Sequence, residues 1–158
     1  SAARAASNLG LPPEALLAQA ALETGWGSQV MPGTGGRSSH NLFGIKADQR
    51  WQGEQVRRET LEYQSGVPVR RREAFRAYAS YEESFQNYVD FLQQSPRYAE
   101  ALSKTPDTEA YFKALQQAGY ATDPNYAEKI LRVMQGPEMQ TALEKLKDDG
   151  GRSTNQSG

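Results

Sequence analysis

Leu16-Leu17-Ala18-Gln19-Ala20-Ala21-Leu22-Glu23-Thr24-Gly25-Trp26-Gly27 is an apolar run that ends on a single carboxylate, with two glycines around a tryptophan directly after it. Ala, Leu and Gln are strong helix formers, and Pro12-Pro13 suit the first turn. The spacing predicts a helix over 13–24 with Leu16, Ala20 and Glu23 on one face. Because that face is apolar, Glu23 is expected to be partly desolvated. Gly25 or Gly27 can supply the left-handed residue that stops the helix. Glu23 then sits near the negative end of the helix dipole. Burial and dipole both disfavour the anion, so both raise the pKa. A carboxyl that stays protonated near neutrality suits a general acid, above all one that protonates a glycosidic oxygen. The bland reading, a Glu that only marks a helix end, stays open on this segment alone.

The 158 residues suffice for one domain with a real core. A net charge of −1 gives no global drive toward nucleic acid or acidic membranes. The absence of cysteine excludes disulfides, thiolate-bound zinc and thiol catalysis. No apolar run is long enough to span a membrane, and no signal peptide is recognisable. The opening Ser1-Ala2-Ala3-Arg4 has a mid-helix character, so the missing signal says little about location. His40, the lone histidine, reads as a loop residue, and no metal-binding pattern is present.

Outward from the first run, residues 2–9 read as a helix and 27–51 as a long Gly-, Ser-, Asn- and Pro-rich loop. Strands are expected over 55–63 and 67–78 around a Ser65-Gly66 turn. Ser80-Tyr81-Glu82-Glu83 is a capping-box pattern, followed by a helix with Phe85, Tyr88, Val89 and Leu92 buried. Ser95-Pro96, Thr105-Pro106 and Asp123-Pro124 read as three further helix starts, and Gly119 as a helix stop. Leu131, Met134, Met139, Leu143 and Leu146 continue helical spacing to about Lys147. The tail 148–158 has no apolar residue and is expected to be disordered. The expectation is an α+β, mainly helical domain over 1–147 with a β-lobe at about 50–78.

Within that lobe, strand alternation puts Glu62 with Val56, Arg58 and Thr60, and Glu59 on the opposite face. A solvated edge strand is the plain reading of this segment. Between Arg50 and Arg76 arginines outnumber glutamates, which makes the lobe basic and able to attract an anionic polymer. Asn41-Leu42-Phe43-Gly44-Ile45-Lys46 reads as a buried anchor turn. Tyr120 directly follows Gly119 and is expected to project from a turn, whereas Tyr126 is expected mainly to pack beside Ile130. Tyrosines in such a corner can also stack on sugars.

Taken together, the 17–27 run, the 41–46 turn, Trp51-Gln52-Gly53, Thr60-Leu61-Glu62-Tyr63, Phe75-Arg76-Ala77-Tyr78-Ala79-Ser80-Tyr81, Pro96-Arg97-Tyr98 and the segment from Leu115 to Ala127 resemble the flagellum-specific peptidoglycan hydrolases of the FlgJ type, in glycoside hydrolase family 73. The resemblance covers about 1–135. It implies a lysozyme-like fold with the cleft between a helical lobe and a β-lobe. It implies β-N-acetylglucosaminidase action on peptidoglycan glycan strands, in the periplasm, without cofactor or metal. It makes Glu23 the catalytic acid and Glu62 the β-lobe glutamate, and puts Tyr120 in the segment of the family's cleft tyrosine. Trp26, Asn41, Phe43 and Tyr126 are the candidate substrate-binding residues. Relatives carry an N-terminal flagellar rod-assembly domain, so rod proteins are expected partners through it; the hydrolase domain itself is expected to be a monomer. A lytic transglycosylase or muramidase on the same polymer, and a non-catalytic wall-binding or rod-scaffold module, are the alternatives.

Overall fold

The computed structural model describes residues 1–144. The expected domain end at 147 and the tail 148–158 lie outside them. Helices α1 (Ala2–Leu9) and α2 (Pro13–Thr24) form a hairpin and precede a long loop with one 3₁₀ turn (Thr34–Gly36). Strands β1 (Gln55–Gln64) and β2 (Val67–Arg76) follow, then α3 (Tyr81–Gln94), a 3₁₀ turn (Pro96–Tyr98), α4 (Ala99–Ser103), α5 (Thr108–Gln117) and α6 (Tyr126–Gln135). A last helix, α7, occupies 137–144 of the described residues. The architecture is the expected mainly helical α+β one.

Helix α2 is the axis of the helical lobe. Ala15, Leu16, Ala18, Gln19, Ala20 and Ala21 are all buried, so it is covered nearly all round, as an apolar helix must be. It packs against α1 on one side and α6 on the other. Three left-handed residues in succession, Gly25, Trp26 and Gly27, end it. On α3, Ser80 Oγ accepts from the Glu83 N–H while the Glu83 carboxylate accepts from the N–H of Ala79, one residue before the cap, and Tyr88, Val89 and Leu92 are buried while Phe85 packs at the core edge.

The two strands pair antiparallel through a two-residue turn in which Ser65 and Gly66 both have positive φ, the turn that matches strand twist. The 39–47 segment runs along β2 and fastens the hairpin to the helices. Tyr78 N–H donates to the Ser39 carbonyl (2.7 Å), Arg76 N–H to that of Ile45 (3.0 Å) and Ala47 N–H to that of Ala74 (2.9 Å).

All three expected helix starts at X-Pro need correction. Pro96 opens a 3₁₀ turn, and the α-helix begins at Ala99. Thr105 donates its hydroxyl back to the Leu102 carbonyl, so it closes α4, and Asp107 caps α5 instead. Asp123 accepts from the Asn125 N–H in a local turn, which delays α6 to Tyr126. The helix expected to run on from Leu131 is broken at Gly136.

Candidate active site

A cleft of about 760 Å³ separates the helical lobe from the hairpin. Glu23 from the end of α2, Gly44 from the anchor turn, Glu62 from β1, and Tyr120 and Tyr126 from the α5–α6 corner all line it. The hairpin also touches the far wall, where the Tyr63 N–H donates to Thr122 Oγ1 (2.9 Å).

Glu23 is open to the cleft but enclosed by protein on its other sides. Desolvation pushes its carboxyl up to about 7, against a smaller opposing effect of the Tyr126 hydroxyl, which donates to Oε1 (3.1 Å) and favours the anion. The carboxyl is open to the cleft, so water there screens part of this rise. Behind Tyr126 stands a directed chain of buried hydrogen bonds. Gln19 Nε2 donates to the Tyr126 oxygen (3.0 Å), and the Tyr88 hydroxyl donates to Gln19 Oε1 (2.5 Å). Tyr111 lies 2.7 Å from the Tyr88 oxygen. Because Tyr88 spends its proton on Gln19, Tyr111 must be the donor in that pair. Every link therefore points toward Glu23, and burial pushes the Tyr126 hydroxyl well above its usual value, so it stays a donor.

Gly44 explains how the anchor turn meets α2. Its φ is +66°, and a Cβ added there would stand 2.9 Å from Glu23 Oε2. Phe43, just before it, is buried and stacks on Tyr88 with ring centroids 4.2 Å apart. The Tyr120 hydroxyl donates to the Phe43 carbonyl (2.6 Å) and so holds this turn.

On the hairpin, Glu62 lines the cleft and makes an ion pair with Lys46, whose Nζ also lies 3.9 Å from Glu73. Glu59 lies on the opposite face, exposed, 3.8 Å from Arg70. This is the alternation expected from the sequence.

Glu23, Glu62, Phe43, Tyr120 and Tyr126 are thus brought together, and Trp26 and Asn41 are not. Trp26 is exposed on the turn after α2 and does not line the cleft. Asn41 is buried with its amide turned inward, donating to the carbonyls of Ile45 (3.0 Å) and Arg76 (2.8 Å). It pins the hairpin root and has no free polar atom for a ligand. The division of labour between the tyrosines also differs from expectation. Tyr126 is buried, as its helical stripe demands, yet its hydroxyl reaches the carboxyl, whereas that of Tyr120 is engaged by the backbone. Gln19 and Lys46 were not singled out by sequence reasoning. The signal for Gln19 is an amide on an otherwise apolar helix, four residues before Glu23.

These contacts set opposite expectations for two conservative variants. Tyr126→Phe removes the donor that favours the Glu23 anion, so the alkaline limb of the pH–rate profile should move to higher pH. Tyr120→Phe should lower turnover through the anchor turn while leaving that limb in place. A pH–rate profile of each variant decides, and an unmoved limb in Tyr126→Phe would reject the assignment.

Residues 1–138 match the family described as Glucosaminidase: Mannosyl-glycoprotein endo-beta-N-acetylglucosaminidase. The chain belongs to the glucosaminidase family. This glucosaminidase domain is 52% identical over 134 residues to the Peptidoglycan hydrolase FlgJ of Vibrio parahaemolyticus, a match that covers 85% of this chain and 43% of that protein. The chain therefore spans less than half the length of that relative. Among solved structures it resembles a peptidoglycan hydrolase mutant from Sphingomonas sp. A1, with a TM-score of 0.84, 49% identity, and 91% and 92% of the two chains covered. It also resembles the C-terminally truncated glycoside hydrolase domain from Salmonella typhimurium FlgJ, with a TM-score of 0.66, 42% identity, and 85% and 88% covered. The glucosaminidase domain thus has the lysozyme-like α+β fold.

Proposed function

We propose that this domain is an endo-acting β-N-acetylglucosaminidase that hydrolyses peptidoglycan glycan strands. Glu23 protonates the leaving glycosidic oxygen as the oxocarbenium-like transition state develops. Water adds to the sugar carbon and gives up its proton. Glu62 either takes that proton or stabilises the developing positive charge; Lys46 holds the carboxylate in place. Tyr126 orients Glu23, and Phe43 and Tyr120 shape the floor beneath the sugar. The single observation that carries this reading is that Glu23, which accepts a hydrogen bond from Tyr126, and a second glutamate, Glu62, line one sugar-sized cleft between the lobes. The reading extends to action in the periplasm, as a monomer, that opens the wall for the flagellar rod, with rod proteins as partners through a segment outside this chain. No metal or cofactor takes part in it.

Digestion of purified sacculi followed by reducing-end analysis tests the bond. N-acetylglucosamine at the new reducing ends supports the proposal. N-acetylmuramic acid or its anhydro form would assign the cleft to a muramidase or a lytic transglycosylase, and no new ends to a binding module. The hairpin carboxylate is tested alongside. Glu62→Gln should cost about 10²-fold or more in lysis rate, within the span of acid–base assistance. Glu59→Gln should stay within about twofold, as an exposed surface change does. A larger loss at Glu59 would reject Glu62.

A further inference from the structure

Among the described residues four cationic side chains line the cleft, and three are neutralised in place. Lys46 pairs with Glu62, Arg50 with Asp48 (3.1 Å) and Lys129 with Asp123 (2.5 Å). Arg97 has no carboxylate partner among the described residues. It is not a loose surface arginine, however. Its Nε donates to the Ala118 carbonyl (3.0 Å), and its Cζ lies 5.5 Å from the centre of the Tyr98 ring. A Cβ at residue 119 would stand 2.7 Å from Nη2, so Gly119 leaves the room in which the guanidinium rests. One edge of the fork is thus fixed by backbone and ring, and its terminal N–H donors remain for a ligand. A planar, oriented, unpaired guanidinium suits a carboxylate, which it can bind through two parallel hydrogen bonds.

We infer that Arg97 is a specificity-determining residue that binds a carboxylate on the muramoyl unit of the glycan strand. The inference rests on the proposed glycan substrate. The sugars of that polymer alternate, so a muramoyl unit flanks the scissile bond whichever way the strand lies. Its carboxylates come from two sources: the lactyl group where the peptide has been removed, and the stem peptide where it is present. Arg97 provides selection for the acidic wall polymer over a neutral N-acetylglucosamine polymer, which no other lining cation is free to give among the described residues.

The test compares parent and Arg97→Gln on three substrates: native sacculi, amidase-stripped strands that keep only lactyl carboxylates, and sacculi whose carboxyls have been converted to amides. Arg97→Gln should lower kcat/KM about 10-fold on native sacculi or on stripped strands, whichever carries the carboxylate that it binds, the size of a lost charge-assisted pair. On carboxyl-blocked sacculi the two proteins should be equal. A loss on stripped strands shows that the freed lactyl carboxylate is bound, and a loss confined to native sacculi assigns the contact to the stem peptide. No loss on either native sacculi or stripped strands, or an equal loss on the blocked material, would overturn the inference. Should Arg97→Gln unfold, Arg97→Lys keeps the charge without the Nε anchor, and its rates on the same three substrates decide in the same way. Turnover of native sacculi by the parent is the control. If that fails, the glycosidase reading has failed instead.

Discussion

Glu23→Gln should abolish wall lysis to within about 10⁻² to 10⁻⁴ of the parent rate while leaving the fold intact. The amide keeps the shape of the side chain and can still meet the Tyr126 hydroxyl, but it has no acidic proton to give. A surviving rate above about half of the parent would mean that another group supplies the proton. The same carboxyl sets the pH dependence. A general acid works in its protonated form, so activity should fall as pH rises through the value of about 7 to which desolvation pushes Glu23. The limb should appear lower in kcat/KM, which reports the water-filled cleft, than in kcat, which reports the cleft filled by glycan. Stability gives an independent reading. The folded state holds the Glu23 proton to higher pH than the unfolded chain, whose ordinary value is 4.5. Between those values the native state binds more protons, so the stability of the parent falls as pH rises. Glu23→Gln removes that penalty. It should therefore melt higher than the parent at pH 8, by about 1 kcal/mol once solvent screening is allowed for, and match it at pH 4. Melting curves at the two pH values check the sign, and an excess stability at pH 4 alone would contradict it.

The features legible in the sequence are those that local rules control. An apolar run closed by Gly-Trp-Gly can only be a helix with its carboxylate at the end, and the alternation of β1 separates Glu62 from Glu59 without reference to any other element. The Ser65-Gly66 turn and the Ser80 cap are equally local. What escaped is what long-range partners decide. Gln19 looks like one more helix former until Tyr88, 69 residues on, and Tyr126, 107 residues on, are folded against it. Nothing in the spacing of Tyr120 and Tyr126 tells which hydroxyl reaches Glu23, because both lie at one corner and the choice depends on where the anchor turn presents its carbonyl. The X-Pro helix starts were misplaced for a related reason. The side chains of Thr105 and Asp123 are engaged with the Leu102 carbonyl and the Asn125 N–H, and neither is left to cap the helix that follows. Exposed Trp26 and inward-turned Asn41 show that membership in a motif can mark a helix stop or a hairpin root as readily as a contact with substrate.

Gly44→Ala should damage catalysis far more than stability. The glycine lies on neither glutamate-bearing element, yet its missing side chain is the space in which the Glu23 carboxyl rests. At φ +66° an alanine is already strained, at a cost of about 1–2 kcal/mol. Its Cβ would also meet Oε2 at 2.9 Å, closer than the contact tolerates. The backbone here is held by the Tyr120 bond to the Phe43 carbonyl and by the Asn41 bonds at the hairpin root, so the turn yields less readily than the end of a glutamate side chain. Glu23 therefore swings away from its position, loses the Tyr126 donor, and leaves the line along which it would protonate the glycosidic oxygen. Displacement of a reacting group by about 1 Å can cost about 10²-fold, and that is the expected fall in kcat, with a melting temperature only a few degrees lower. The alkaline limb should shift as well, because the carboxyl has left the hydroxyl that favours its anion. Turnover, pH profile and melting curve on the one variant separate the possibilities. Near-parental turnover with a depressed melting temperature would show that the turn gives way and Glu23 stays where it is, and the close approach of Gly44 would then have no part in aiming the acid.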